Sequence, residues 1–216
     1  MGSITRSFAN NITTSGVFTA SAFNNASFNN VTSLPGGAVS VDDMVLVSSA
    51  TASTSANLNF TLASYKEYVF HFINMHPATN GTPFEFQAST NAGSSYGVTA
   101  TSTFFRARHD EADTTAQLGY DSGEDLTQST DYQTLAYDTE NDNDQCCSGY
   151  LRIIDPSNTT FVKHWISRFS NYGSGNYIRE ENTAGYFNTT SAINSVRFQF
   201  ASGNIDSGEI LMYGIN

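Results

Sequence analysis

Apolar and polar residues alternate along many short stretches of this chain, a spacing that predicts β-strands rather than helices. The strongest example is Glu67–Met75, EYVFHFINM. Successive side chains point to opposite faces of a strand, so its two faces carry Tyr68, Phe70 and Phe72 on one side, and Val69, His71, Ile73 and Met75 on the other. A strand that is mostly apolar on both faces indicates a central position, in a sheet covered on both sides or beside a partner subunit.

Turn-forming residues separate about ten such stretches, as a sandwich or barrel requires. The predicted strands are Asp43–Ser49, Ala56–Leu62, Glu67–Met75, Phe84–Ser89, Thr101–Arg108, Gly149–Ile154, Phe161–Phe169, Ala184–Asn188, Ser195–Ala201 and Glu209–Tyr213. Two of them show clear inward-facing sets: Phe161, Trp165 and Phe169 in one, and Val196, Phe198 and Phe200 in the other. Apart from a single turn near Asp110–Leu118, no segment has helical periodicity. We therefore expect an all-β fold, an antiparallel β-sandwich that resembles a jelly roll.

The chain divides into an arm, residues 1–40, and a β-sandwich body, residues 41–216. The arm repeats a small-Phe-Asn-Asn pattern and ends at a Gly-Gly pair. Isolated phenylalanines in so polar a context cannot form a core of their own. We expect them to attach the arm to another subunit or another protein of an assembly; the alternative is a leader with no fixed partner. The candidate attachment residues are Phe8, Phe18, Phe23 and Phe28.

Charge is unevenly distributed along the chain. The net charge is −11, and the segment 109–151 contains eleven acidic residues and no Lys or Arg, so it accounts for the whole imbalance. Nucleic-acid binding is disfavoured, because no basic stripe is present. No apolar run approaches the ~20 residues that span a bilayer, and the first residues lack the apolar core of a signal peptide. We expect neither membrane insertion nor secretion, and two reduced thiols at Cys146 and Cys147.

Catalytic patterns are weak throughout. Gly93–Gly97, GSSYG, matches the nucleophile elbow of hydrolases, but that motif needs a following helix and none is predicted. A Gly/Ser hairpin loop is the better interpretation. His109 and Glu111 match half of a deaminase pattern whose cysteine half is missing. We therefore expect a protein that is not an enzyme.

Four carboxylates recur at every second position in one acidic stretch, namely Asp138, Glu140, Asp142 and Asp144. If the loop curls, their oxygens converge, and hard oxygen ligands suit calcium, the only cofactor that the sequence suggests. The stretch fails the EF-hand pattern, because Asn143 stands where Gly is required. The alternative is a solvated acidic loop.

The segment 170–186 is rich in Tyr, Ser, Gly and Asn, the residues that antibody loops use for recognition. The same mixture suits stacking against sugar rings. We predict a loop whose Tyr172, Tyr177, Arg179 and Tyr186 contact a carbohydrate or another receptor. The alternatives are an ordinary connection between strands or a contact with a neighbouring subunit.

Three segments carry a resemblance to a known group of proteins. Met1–Gly16, Tyr65–Thr79 and Gly185–Gly208 resemble small virion structural proteins of tailed phages that infect marine bacteria. Such proteins serve as fibres, knobs, collar spikes or head decorations. The resemblance implies a multicopy, non-enzymatic virion component that assembles in the host cytoplasm with other virion proteins.

Together these features predict a homo-oligomer, most simply a trimer, whose body contacts a bacterial surface glycan or its neighbours on the particle. The second hypothesis is a carbohydrate-binding module of a secreted bacterial protein, although no signal peptide is apparent. The third is a β-sandwich hydrolase that uses Glu180 or Glu181. Activity on polysaccharide would distinguish the third from the others, and glycan binding the second.

Overall fold

The computed structural model describes residues 44–63 and 65–216, and all of its regular structure is β-strand. The strands are β1 (Val45–Ser55), β2 (Leu58–Thr61), β3 (Glu67–Pro77), β4 (Thr82–Ser89), β5 (Ala100–Asp110), β6 (Ala116–Tyr120), β7 (Gln133–Thr139), β8 (Cys147–Ile154), β9 (Lys163–Gly173), β10 (Tyr177–Phe187), β11 (Ser195–Phe200) and β12 (Ile205–Ile215). In this part of the chain, no helix is long and apolar enough to cross a bilayer.

All strand pairs are antiparallel, and they form two ladders. The eight-strand ladder runs β1-β12-β3-β8-β9-β10-β5-β6. The four-strand ladder runs β2-β11-β4-β7. A single residue pair, Thr139 with Gly173, joins β7 to β9 and makes one nearly closed, barrel-like sheet. The predicted all-β antiparallel fold is therefore confirmed.

Aromatic rings from both ladders meet in the core. Phe72 on β3 has its ring centroid 4.9 Å from that of Phe198 on β11 and 5.1 Å from that of Phe169 on β9. Further along, Trp165 on β9 lies 5.6 Å from Phe86 on β4. Edge-on and tilted aromatic pairs contribute about 0.5–1.5 kcal/mol each beyond the area they bury. These rings hold the two ladders against each other.

Strand β3 differs from its prediction on one face. Tyr68, Phe70 and Phe72 are fully buried, as expected. On the opposite face His71 is exposed, and Ile73 is 41% exposed. The pairing with β8 shifts register after Phe72, and Met75 turns into the core. Val69, also on that face, is 7% exposed, so the described residues cover the opposite face of this strand only in part.

The sequence pattern missed two strands and misplaced Phe161. All residues of β6 are exposed, so its sequence has no buried face to recognise. The inward-facing positions of β7 include polar residues, which hides the alternation. Phe161 is 69% exposed and precedes β9. The Asn158 side-chain oxygen accepts the backbone N–H groups of Thr160 and Phe161, both at 2.7 Å, which holds this stretch in a turn instead of a strand.

Candidate functional site

The segment 170–186, predicted as a recognition loop, is a β-hairpin made of β9 and β10. Gly173 pairs directly with Tyr177, and only three residues connect the two strands. Two of them, Gly175 and Asn176, have positive φ angles of 77° and 56°. Glycine and asparagine adopt this conformation most readily. The turn chemistry that suggested a loop is therefore confined to the hairpin tip, and the loop prediction is wrong.

The four predicted contact residues lie on opposite faces of this hairpin. Tyr177 and Arg179 alternate with Ile178 and point inward, and Arg179 is only 4% exposed. Tyr172 lies on the outward side, and its hydroxyl donates to Glu111 Oε1 at 3.2 Å. Tyr186 is also outward, with its ring 6.1 Å from that of His164. The structure therefore does not bring the four residues into one site.

Inward-facing arginines and tyrosines alternate between β5, β10 and β7. We call this set the arginine–tyrosine stack, and its members in spatial order are Arg106, Tyr137, Arg179, Tyr177 and Arg108. The guanidinium carbon of Arg106 lies 4.7 Å from the ring centre of Tyr137, and that of Arg108 lies 5.1 Å from the ring centre of Tyr177. Arg179 lies between them, 5.7 and 5.8 Å from the same two rings. Cation–π contacts of this kind stabilise by about 0.5–2 kcal/mol each.

Two arginines of the stack are neutralised by carboxylates from other elements. Arg179 Nη2 donates to Asp138 Oδ2 at 3.0 Å, and its Nη1 donates to the Asp138 carbonyl at 3.1 Å. Arg106 Nη2 lies 2.8 Å from Asp121 Oδ2. Gly173 makes room for the Arg179 guanidinium, because a Cβ at this position would overlap Nη1. Arg179 was predicted to contact a receptor, but its side chain is buried and bonds Asp138.

Glu181 is fully buried beside the stack. Its Oε2 accepts the Tyr137 backbone N–H at 3.0 Å and the Asn171 side-chain N–H at 3.4 Å. Burial raises the pKa of this carboxyl to about 8, and the opposing effects of the Tyr137 hydrogen bond and of nearby Arg179 are smaller. Both neighbouring arginines already have carboxylate partners, so Glu181 can be protonated at neutral pH without leaving a guanidinium unpaired.

Glu180 and Glu181 do not form the carboxylate pair that a glycoside hydrolase needs. They are successive residues of β10, so their side chains point to opposite faces of the sheet. Glu180 is outward and bonds Arg168 Nε at 2.8 Å, which lowers the pKa of its carboxyl. Glu181 has no exposed surface with which to reach a polysaccharide. The geometry therefore gives no support to the hydrolase hypothesis.

The four predicted calcium ligands are not gathered around one point. Asp138 bonds Arg179, and Glu140 accepts a hydrogen bond from the Gln145 side chain at 2.9 Å. Asp144 is exposed. Among the residues that the structure describes, no three His, Cys, Asp or Glu side chains are grouped as metal ligands.

We expect millimolar calcium to leave the melting temperature unchanged. A calcium site would add about 2.7 kcal/mol to the free energy of unfolding when the free calcium concentration is 100 times its dissociation constant. Differential scanning fluorimetry in calcium, in magnesium and in a chelator would check this, with magnesium as the control for general ionic effects. A rise in melting temperature specific to calcium would show that the carboxylates converge when the ion is present.

The remaining sequence motifs show no catalytic arrangement or lie outside the described residues. Gly93–Gly97 lies in the connection between β4 and β5, so a strand and not a helix follows it. Cys146 and Cys147 are free thiols, and burial raises the pKa of both. Phe8, Phe18, Phe23 and Phe28 lie outside the described residues, and their predicted attachment role stays a prediction.

Sequence reasoning missed the outward side of the eight-strand ladder, which we call the open face. Of the eleven large apolar side chains that are exposed among the described residues, eight lie on it. They are Leu46, Ile73, Phe105, Leu118, Tyr120, Ile154, Ile166 and Ile178. In β9 and β10 the outward isoleucines alternate with inward residues. Because some of those inward residues are polar, the hydrophobic pattern of the sequence did not distinguish the inward face from the outward one.

A shallow depression of about 460 Å³ lies on the open face where β8, β9 and β10 run side by side. Tyr150, Arg168, Ile178 and Glu180 contribute side chains to its lining. The Arg168–Glu180 pair crosses its floor from β9 to β10. An aromatic ring beside a paired cation and carboxylate offers a stacking surface and hydrogen-bonding groups, which are the contacts that a sugar ring can make.

Comparison with known proteins does not supply a family for this chain. No family model, curated protein or solved structure matches it.

Proposed function

We propose that this chain is a non-enzymatic structural protein of a tailed-phage virion: a fibre, knob, collar spike or capsid decoration present in many copies. The observation that carries this proposal is the open face. Eight exposed large apolar side chains on one side of a sheet favour an interaction surface. In this proposal the protein assembles in the host cytoplasm, as a homo-oligomer that is most simply a trimer, and attaches to other virion proteins through Phe8, Phe18, Phe23 and Phe28 of its arm.

The distribution of charged groups also favours an interaction role over a catalytic one. Arg179 of the arginine–tyrosine stack and Glu181 beside it are both buried, and neither can meet a ligand at the surface. Arg168 and Glu180, on the outside, are paired with each other. Charged groups that satisfy one another internally stabilise a scaffold but do not provide a free acid or base.

We further propose that the body is a two-layered sandwich that resembles a jelly roll. Among the residues that the structure describes, one residue pair, Thr139 with Gly173, joins the eight-strand and four-strand ladders. Aromatic side chains fill the space between them, with Phe72 and Phe198 reaching from opposite ladders. Two sheets that pack face to face over such a core are typical of sandwiches.

A direct test is quantitative mass spectrometry of phage particles purified from a lysate of the host. We expect peptides of this chain at several copies per particle, in a fixed ratio to the major capsid protein. Host proteins of similar abundance serve as the control for contamination. Absence of the chain from intact particles, while it is present in the lysate, would overturn the virion proposal.

The alternative function is a carbohydrate-binding module of a secreted bacterial protein, and the depression on the open face is the observation that favours it. Under this alternative, Tyr150 would stack against a sugar ring while Arg168 and Glu180 bonded its hydroxyls. A glycan array separates the two functions. Binding that is lost in Tyr150→Ala but retained in Tyr186→Ala would support the alternative, because Tyr186 is an outward tyrosine outside the depression.

A further inference from the structure

We infer that the open face is covered by a neighbouring copy of this chain, so that it is the subunit interface of a homo-oligomer. This inference rests on the proposed function, since a multicopy virion protein has identical partners at hand. It goes further by assigning the contact to the outward side of β9 and β10 and the strands beside them.

The composition of the open face favours a protein partner. Six of its eight exposed apolar side chains are aliphatic, and only Phe105 and Tyr120 are aromatic. Isoleucine and leucine cannot stack on a sugar ring or bond its hydroxyls, and they gain free energy only when another apolar surface removes them from water. Ile166 and Ile178 lie on adjacent central strands and are 47% and 51% exposed, and the register places Ile178 beside Tyr172, six positions or about 20 Å along the strand from Ile166. A second apolar surface is therefore the occupant that fits them.

The extent of the open face is sufficient for a stable interface. Its strands contain 79 residues, and each residue of a sheet occupies about 16 Å² when strands are about 4.8 Å apart and rise about 3.3 Å per residue. The face therefore measures about 1,250 Å². Stable protein interfaces bury about 800 Å² on each partner. A neighbouring copy needs to cover only about two thirds of the face.

The charges of the chain direct copies toward this face. Each copy carries a net charge of −11, all of it attributable to the segment 109–151. Nine of the eleven acidic residues in that segment lie in connections between strands, the exceptions being Asp110 and Asp138. On the open face two pairs of opposite charges neutralise each other instead, Arg168 with Glu180 near the centre and Arg152 with Glu67 at a strand end. Two copies can therefore approach here with less like-charge repulsion than through the acidic connections.

Full-length protein carrying Ile166→Glu and Ile178→Glu tests the inference by sedimentation velocity over a range of concentrations. We expect the wild type to associate and the double variant to associate roughly 100-fold more weakly or worse, because each change places a carboxylate in an apolar contact. The control is Thr61→Glu, an exposed position on β2 in the four-strand ladder, which adds one negative charge away from the open face. We expect this control to associate like the wild type.

A milder pair, Ile166→Thr with Ile178→Thr, keeps β-branched side chains and serves if the glutamate variant does not fold by circular dichroism. Either pair associating as tightly as the wild type, or Thr61→Glu dissociating as well, would overturn the open face as the interface. A wild type that is monomeric at every concentration would also overturn it. None of these results decides the virion role, which the mass spectrometry of purified particles tests separately.

Discussion

Replacing Trp165 with alanine is expected to lower the free energy of unfolding by about 3–5 kcal/mol, as for other large aromatic residues removed from packed cores. The indole is fully buried. Its ring lies 4.5 Å from that of Phe187 on β10 and 5.6 Å from that of Phe86 on β4. It therefore joins the two ladders. At about 2–4 °C per kcal/mol for a chain of this size, the melting temperature should fall by roughly 6–20 °C in thermal unfolding followed by circular dichroism.

Gly185 provides a second step for the same experiment. A Cβ at Gly185 would overlap the Trp165 indole and lie 2.7 Å from the Thr101 carbonyl oxygen. Gly185→Ala alone should cost about 1–3 kcal/mol through overpacking. In the Trp165→Ala background the overlap with the indole is gone, so the same change should cost less, leaving only the Thr101 contact. Residues in contact give such non-additive cycles.

The control for both changes is His164→Ala, the neighbouring outward residue of β9, which is exposed. We expect a change within about 0.5 kcal/mol. Additive effects of Trp165→Ala and Gly185→Ala would contradict the described packing, and so would a His164→Ala effect as large as that of Trp165→Ala.

The buried faces of aromatic strands were predictable, because the hydrophobic effect requires apolar residues at every second position of a strand that packs on the core. In β11, Val196, Phe198 and Phe200 were predicted to point inward and are all buried. The inner face of β3 was predicted equally well. Where one face of a strand is apolar and aromatic, the two-residue period determines its orientation without knowledge of its neighbours.

The interior of β10 was not predictable, because its stabilising partners are distant in the sequence. Its inward residues include Arg179 and Glu181, which a two-residue hydrophobic pattern assigns to a solvent-facing loop. They are inward because Asp138 and Tyr137, more than 40 residues earlier, supply the ion pair and the backbone N–H. No local pattern in the segment 170–186 contains that information.

The open face could be predicted from the sequence only in part. Apolar residues on both faces of Glu67–Met75 predicted either a covered sheet or a partner subunit, and within the described residues Ile73 is left exposed. The partner-subunit alternative therefore stays a prediction. The rest of the face required strand register, because the isoleucines that form it come from β3, β8, β9 and β10 and are far apart in the chain.

Stability is expected to fall as pH rises from about 4.5 to about 8, because of Glu181. The folded chain raises the pKa of this carboxyl from its ordinary 4.5 to about 8, chiefly by burial. Below the lower value, the carboxyl is protonated in both states and contributes no pH dependence. Between the two values, the unfolded chain releases a proton that the folded chain keeps, so each unit of pH favours unfolding further, by about 1.4 kcal/mol at most. Above pH 8 the loss is complete and the contribution levels off.

Glu181→Gln should abolish this part of the pH dependence. Glutamine keeps an oxygen that can accept the Tyr137 N–H and cannot ionise, so wild type and variant should have similar stability near pH 5. Near pH 9 the variant should be more stable by several kcal/mol, on the order of the pKa difference at about 1.4 kcal/mol per unit. Urea unfolding at half-unit intervals from pH 5 to 9 measures the difference directly.

Glu180→Gln is the matched control, because Glu180 is the adjacent carboxylate on the outward face of the same strand. Its pKa is lowered by the Arg168 hydrogen bond, so its contribution to stability is lost only at pH values below the ordinary range of a glutamate. From pH 5 to 9 the Glu180→Gln curve should therefore run parallel to that of the wild type. The charged groups that face Glu181 are Arg106 and Arg179, and the Cys147 thiol beside it has a pKa that burial raises. If the Glu181→Gln curve also runs parallel to the wild type, Glu181 is ionised in the folded chain, and its burial beside two paired arginines does not hold its proton.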